Sequence, residues 1–295
     1  MRADEAIGDE CEGSLRSLVG NLVFPEGPRW HSGRLWFSDM EDMRVKSVGP
    51  GGDVRDELVL DDYPSGLGWL PDGTLLIVSV KRRQVLALAN GEVRVHADLT
   101  RHALSHANDM VVDSKGRAYV GSMGFDIWAD PEFKPGNICL TDPDGSVRVV
   151  ADRLAFPNGS VITPDGRTLI VAESLGGKLT AFPIAEDGTL GEARVWAGME
   201  GETPDGICLD AAGGIWVASA IPGRVLRYEA SGRVTHHVRL PEGRSAFALA
   251  LGGADGRDLF LAVSSVYGDT REARLSSRPG GIMVARAPYP GARPE

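Results

Sequence analysis

The chain lacks the residues and patterns that mark several large functional classes. Of its 295 residues only three are cysteines, Cys11, Cys139 and Cys208. Their number is odd and none forms a Cys-x-x-Cys pair, which argues against a disulfide framework or a thiolate zinc site. Cys208, in the apolar run Ile207-Cys-Leu, reads as a small buried hydrophobe. This usage predicts a reduced, cytoplasmic protein. No apolar stretch approaches a membrane span, and the acidic opening, residues 1–13, has neither the basic nor the apolar part of a secretory signal. Lys and Arg number 31 against 41 Asp and Glu, for a formal net charge of −10. With no basic stripe to offset the acids, nucleic acid is excluded as a partner. Familiar catalytic signatures are missing too. Gly121-Ser-Met-Gly is one residue too short for a nucleophile elbow, and no His-Glu-x-x-His occurs. Gly177-Lys178 runs into Leu179, so there is no phosphate loop, and Gly66-Leu-Gly68 lacks the last glycine of a dinucleotide fingerprint.

Glycine and proline, by contrast, are plentiful at 38 and 18. They punctuate six similar segments, each an apolar run, a tight turn carrying Gly, and a second apolar run. The segments begin at Phe24-Pro-Glu-Gly, Pro64-Ser-Gly-Leu, His106-Ala-Asn-Asp, Phe156-Pro-Asn-Gly, Thr203-Pro-Asp-Gly and Ser245-Ala-Phe-Ala. A repeat of about 40–50 residues built from four short strands predicts an all-β, six-bladed β-propeller. Residues 15–286 form the propeller in this reading, with flexible tails at 1–14 and 287–295. Residues 15–22 supply an outer strand that closes the ring against the last segment and removes a free edge.

Rotational repetition lets chemistry be read by phase. The slot just before each first apolar run holds Glu26, Ser65, Asn108, Asn158, Asp205 and Ala246. A turn glycine follows in each segment: Gly33, Gly73, Gly116, Gly166, Gly213 and, more loosely, Gly256. Phase separates two look-alikes. Asp165, in Pro164-Asp-Gly, is a hairpin-turn residue whose carboxylate serves its own backbone, as does Asp72. Asp205, in Pro204-Asp-Gly, begins an innermost strand and faces the axis. Two long insertions, residues 122–137 and 265–280, follow second strands and so overhang the slot face, where long loops are commonly functional.

Glu26, Asn108, Asn158 and Asp205 bring two carboxylates and two amide carbonyls to one mouth of the channel. Carboxylates held together in an apolar setting repel unless a proton or cation intervenes. All-oxygen ligation favours one hard divalent cation, calcium first, with zinc, manganese or magnesium as alternatives. Four protein ligands leave positions for water and substrate. Asp109, one step past its slot, is expected to orient Asn108 from behind. His106, two before Asn108, approaches the mouth, and the first insertion, Phe125-Asp-Ile-Trp128, walls a pocket.

At these residues the chain resembles the SMP-30/gluconolactonase/luciferin-regenerating family. The matching motifs are Phe24-Pro-Glu-Gly-Pro-Arg-Trp, Asn108-Asp-Met-Val-Val-Asp-Ser-Lys-Gly-Arg, Phe156-Pro-Asn-Gly and Pro204-Asp-Gly-Ile-Cys-Leu-Asp. The resemblance implies a calcium-dependent lactonase propeller whose metal is held by Glu26, Asn158 and Asp205, with Asn108 as a further metal or substrate contact. It also implies an acidic substrate-binding residue in the insertion of the third segment, for which Asp126 is the nearest candidate. Sugar-lactone members carry Arg where this chain has His106, and Trp128 and Phe133 make the pocket less polar. The expected reaction is metal-dependent opening of a lactone, with Asp205 as general base or nucleophile. Alternatives on the same residues are a phosphotriesterase or aryl-esterase, other ring chemistry, or a non-catalytic metabolite-binding propeller. The expected partner is a small lactone or ester, with no membrane contact, and the expected assembly is a monomer or small homo-oligomer.

Overall fold

A computed structural model describes residues 8–11, 15–265 and 270–292. Six twisted antiparallel sheets surround one axis, as the repeat predicts. Blade 1 runs outward as Pro25–His31, Arg34–Asp39, Arg44–Val48 and Val54–Val59. Blades 2 to 5 repeat this order from inner strands Pro64–Trp69, Ala107–Val112, Pro157–Ile162 and Pro204–Leu209. Blade 6 begins with Arg244–Gly252 and continues through Asp258–Ser265 and Gly280–Arg286. Its outer strand is Arg16–Leu22, which pairs antiparallel with Gly280–Arg286 from Arg16 opposite Val284 to Leu22 opposite Gly280. The ring is therefore closed by joining the start of the chain to its end. Each inner strand packs against the inner strands of both neighbouring blades.

Burial explains the hydrophobic pattern. Both faces of a blade are covered by its neighbours, so second strands carry no polar alternation: Leu75–Ser79, Ala118–Ser122 and Ile215–Ser219 are buried throughout. Apolar clusters fill the gaps between blades. One joins Leu35, Phe37 and Val48 of blade 1 to Phe260 and Ile282 of blade 6. Each such large side chain contributes roughly 1.5–3 kcal/mol on burial. Outer strands such as Val54–Val59 are mostly exposed and polar. The hairpin glycines Gly33, Gly73, Gly116, Gly166, Gly213 and Gly256 all have positive φ, between 69° and 88°.

Within the segment read as an N-terminal tail, Asp9–Glu10 pairs parallel to Val234–Val238 as a fifth strand of blade 5, and Cys11 N–H donates to His237 O at 3.0 Å. At the other end Ala292 N–H donates to Leu209 O at 3.0 Å and Gly291 N–H to Gly256 O at 2.9 Å, so residues 287–292 bridge blades 5 and 6. Among the described residues no helix is long and apolar enough to cross a membrane.

Candidate active site

Inner strands share one irregularity that sets the site. In blades 2 to 5 the first residue pairs with the end of the second strand, after which the ladder slips before pairing resumes three residues on. In these four blades the slot residue falls inside this slip and is turned inward, whereas in blade 1 Glu26 still pairs with Ser38 and the slip follows it. Register corrects the sixth slot. Ala246 pairs with Val263 and the slip runs from Ala246 to Ala248, so the slot residue is Phe247, not Ala246. Phe247 is buried and its ring lies 4.6 Å from that of Phe24. The channel wall between Asp205 and Glu26 is thus aromatic.

The residue after the slot is Gly in four blades, at Gly27, Gly66, Gly159 and Gly206. These are close approaches of neighbouring backbones. A Cβ on Gly206 would sit 2.4 Å from Ala248 Cα, and one on Gly66 would sit 2.3 Å from Met110 N.

Glu26 and Asp205 face each other across the mouth closely enough to perturb one another. Burial, reinforced by the Asp109 charge, pushes Glu26 up to about 8, against the opposing Gly27 N–H and Arg29 charge. Asp205, 7% exposed, lies well above the usual carboxylate range through burial and the charges of Glu26 and Asp109. Its hydrogen bonds from Asn158 and Gly206 N–H only partly offset this. Both amides are anchored through nitrogen. Asn108 Nδ2 donates to Pro157 O at 3.3 Å. Asn158 Nδ2 donates to Ser174 Oγ at 3.2 Å, and Ser174 donates on to Pro204 O at 2.7 Å. Neither Oδ1 accepts a hydrogen bond from a described residue. Two carbonyl oxygens thus remain available beside two mutually repelling carboxylates. The described residues contain no cluster of three or more His, Cys, Asp or Glu able to hold a metal, so any cation here meets mixed carboxylate and carboxamide oxygen. That donor set fits a hard divalent ion.

Among the described residues no hydrogen bond joins Asp109 to Asn108. Its carboxylate accepts from Arg29 Nη2 at 2.8 and 3.1 Å, and the same nitrogen donates to Met110 O at 2.6 Å. Arg29 is the residue that sequence reasoning missed. Its phase in the other blades holds Gly68, Val111, Val161, Cys208 and Ala250, so a lone charge in an otherwise apolar ring was the available signal. Beyond it the channel opens on the hairpin-turn face as a cavity of about 370 Å³ lined by Arg29, Val111, Val161, Cys208 and Ala250. The Arg29–Asp109 pair therefore plugs the channel beneath the cluster. The two Pro-Asp-Gly look-alikes separate as expected: Asp165 Oδ1 accepts from Arg167 N–H at 3.0 Å in its turn, and Asp72 Oδ1 from Thr74 N–H at 2.9 Å.

Two residues before the slots stand Phe24, Tyr63, His106 and Phe156, a mostly aromatic rim that the same phase reading would have found. The first insertion leans on it. Phe125 packs 5.7 Å from Phe156, while Trp128 stacks 5.7 Å from Tyr63 and meets His106 edge-on at 5.0 Å. Asp126 Oδ2 lies 3.8 Å from His106 Nε2, and its Oδ1 accepts the N–H groups of Trp128 and Ala129. Burial holds the His106 imidazole below its ordinary range, so it is neutral at pH 7, and its buried Nδ1 has no partner among the described residues. The second insertion contains a short helix, Arg271–Ser277, capped by Thr270 Oγ1 accepting from Ala273 N–H at 3.2 Å. Arg274 clamps Glu41 with bonds of 2.7 and 2.6 Å, tying the helix to blade 1. Residues 266–269 of this insertion lie outside the described residues.

Comparison with known proteins agrees with this architecture. A family model described as SMP-30/Gluconolactonase/LRE-like region matches residues 24–265. A pentonolactonase of Haloferax volcanii is 28% identical over 249 residues, covering 83% of this chain and 82% of its own. A 6-deoxy-6-sulfogluconolactonase of Pseudomonas putida is 27% identical over 276 residues, 91% of this chain and 93% of its own. The solved structure of a regucalcin from Agrobacterium tumefaciens, described as a calcium-binding protein, superposes with a TM-score of 0.78 at 23% identity, covering 96% of each chain.

Proposed function

Since the chain belongs to the SMP-30/gluconolactonase/LRE-like family, we propose that it is a divalent-metal-dependent lactonase acting at the slot-face mouth of the channel. The observation that carries this reading is the pair of uncommitted amide oxygens beside Glu26 and Asp205. Glu26, Asn158 and Asp205 hold the cation, calcium by preference, and Asn108 completes the oxygen set or contacts substrate. When bound, the ion supplies Lewis-acid polarisation of the ester carbonyl and neutralises the charge that develops there. Asp205 takes the proton of the attacking water and returns it to the ring oxygen as the acyl C–O bond breaks, or itself attacks the carbonyl carbon as that bond breaks, water then hydrolysing the acyl-aspartate. The aromatic rim excludes bulk water and seats the lactone ring, and neutral His106 offers a ring nitrogen to a substrate hydroxyl. Lactonase-named relatives aligned over most of the chain support the reaction class.

A second reading, an aryl-ester or phosphotriester hydrolase on the same residues, is favoured by the rim itself, since Phe24, Tyr63, Phe156 and Trp128 present aromatic faces. Side-by-side turnover of a sugar lactone, an aliphatic lactone, an aryl ester and an organophosphate, with and without chelator, decides between them. The expected result is chelator-sensitive lactone opening that is lost in a folded Asp205→Ala protein. Full turnover by that variant rejects the assignment, and metal-dependent stability without any turnover identifies a non-catalytic propeller.

A further inference from the structure

One side of the mouth carries two cations with no carboxylate partner among the described residues. Lys81 follows the second strand of blade 2, and its ammonium lies 4.4 Å from the Tyr63 ring centroid and 4.8 Å from that of Trp128. The Arg271 guanidinium carbon lies 5.6 Å from the same Tyr63 ring. Arg271 donates one bond, to Glu41 O at 2.9 Å, and its buried Nε has no partner. Two cations thus flank one phenol ring at the rim.

Nearby Arg82, Arg274 and Arg278 pair with Asp61, Glu41 and Asp42. Asp126 feels the Lys81 charge but makes no ion pair with it, its oxygens being bonded to the Trp128 and Ala129 N–H groups and facing His106. Aromatic contact holds Lys81 in place but leaves most of an ammonium's hydrogen-bonding capacity unused. A fixed pair of donors beside an ester-opening site is suited to an anionic group on the substrate.

We infer that this lactonase takes lactones bearing an anionic substituent, a carboxylate, sulfonate or phosphate, gripped by Lys81 and Arg271 over the Tyr63–Trp128 platform while the ester carbonyl lies at the Glu26–Asp205 cluster. The inference rests on the lactonase reading for its reaction and on the two cations for its selectivity.

The test compares glucono-1,5-lactone with its 6-phosphate and 6-carboxylate counterparts. Wild-type protein prefers the anionic lactones in kcat/KM, and raising ionic strength erodes that preference. Lys81→Met and Arg271→Met each lower the anionic-to-neutral ratio about tenfold, as loss of one charge-assisted contact predicts. Lys81→Arg restores most of it. Calorimetric binding of 6-phosphogluconate against gluconate reads the same selectivity without turnover. If no lactone is opened but that binding preference exists and vanishes in the Lys81→Met/Arg271→Met protein, the anion site stands and the lactonase reading falls. A wild-type ratio near one, or a ratio unchanged in the double variant, overturns the inference.

Discussion

Replacing Arg29 with Met removes the only described cation bonded to Asp109 and leaves three carboxylates, Asp109, Glu26 and Asp205, around one narrow channel. Removing one partner of a buried ion pair costs roughly 3–5 kcal/mol. The Arg29 side chain is 23% exposed and that of Asp109 11%, so solvent relieves part of this, and about 2 kcal/mol is the expected loss in chelator. Calcium should return part of it. With its charge no longer neutralised, Asp109 strengthens the field at Glu26 and Asp205 and so the hold on a cation there, and tighter native-state binding adds stability as RT ln(1 + [L]/Kd). The calcium-dependent gain in unfolding free energy is thus larger for Arg29→Met than for wild type, by about 1 kcal/mol for a fivefold gain in affinity. Adding Asp109→Asn removes the stranded charge and should recover most of the chelator-state loss, since deleting both partners is far less costly than deleting one. Urea unfolding of wild type, Arg29→Met, Asp109→Asn and the double variant, each with excess calcium and with chelator, gives the complete cycle. Equal stability of Arg29→Met and wild type in chelator, or equal calcium increments in the two, would refute the plug.

Asp205→Asn is expected to lower lactone turnover at least a thousandfold while making the cation-free protein more stable, because it relieves the repulsion with Glu26; a stability loss in chelator would contradict the electrostatic account. Gly206→Ala places a methyl group 2.4 Å from Ala248 Cα, and urea unfolding should show a loss of about 3 kcal/mol. His96 is buried with its pKa lowered by burial, so the folded state binds its proton less readily than the unfolded chain. Its contribution is fully present above the unfolded pKa and is lost as pH falls below it. The pH dependence of unfolding between 7 and 5.5 should therefore be shallower in His96→Gln than in wild type.

Much of this molecule was legible because each propeller segment repeats a physical problem. The turn glycines, the closing strand and the opposite fates of Asp165 and Asp205 all follow from phase. The sixth segment misled because Ser245-Ala-Phe-Ala carries no polar residue or glycine to mark its slot, and only the pairing of Ala246 with Val263 reveals that Phe247 occupies it. The partner of Asp109 was missed for another reason. Sequence places it one residue past Asn108, but its partner Arg29 lies 80 residues away and two blades round the ring. Such a pair is visible only if every phase is compared, not the slots alone. The helix Arg271–Ser277 was read as loop, although Thr270 ahead of Arg-Glu-Ala-Arg-Leu is an adequate capping signal.

Sewing Arg16–Leu22 to Gly280–Arg286 also governs how the protein is made. During folding the strand Arg16–Leu22 waits for a partner that five intervening blades separate from it in sequence. Until then a nearly finished circle exposes two raw sheet margins, the kind of surface on which chains aggregate and which chaperones shield. Ring closure thus pairs segments far apart in sequence, which makes it the slow step of folding.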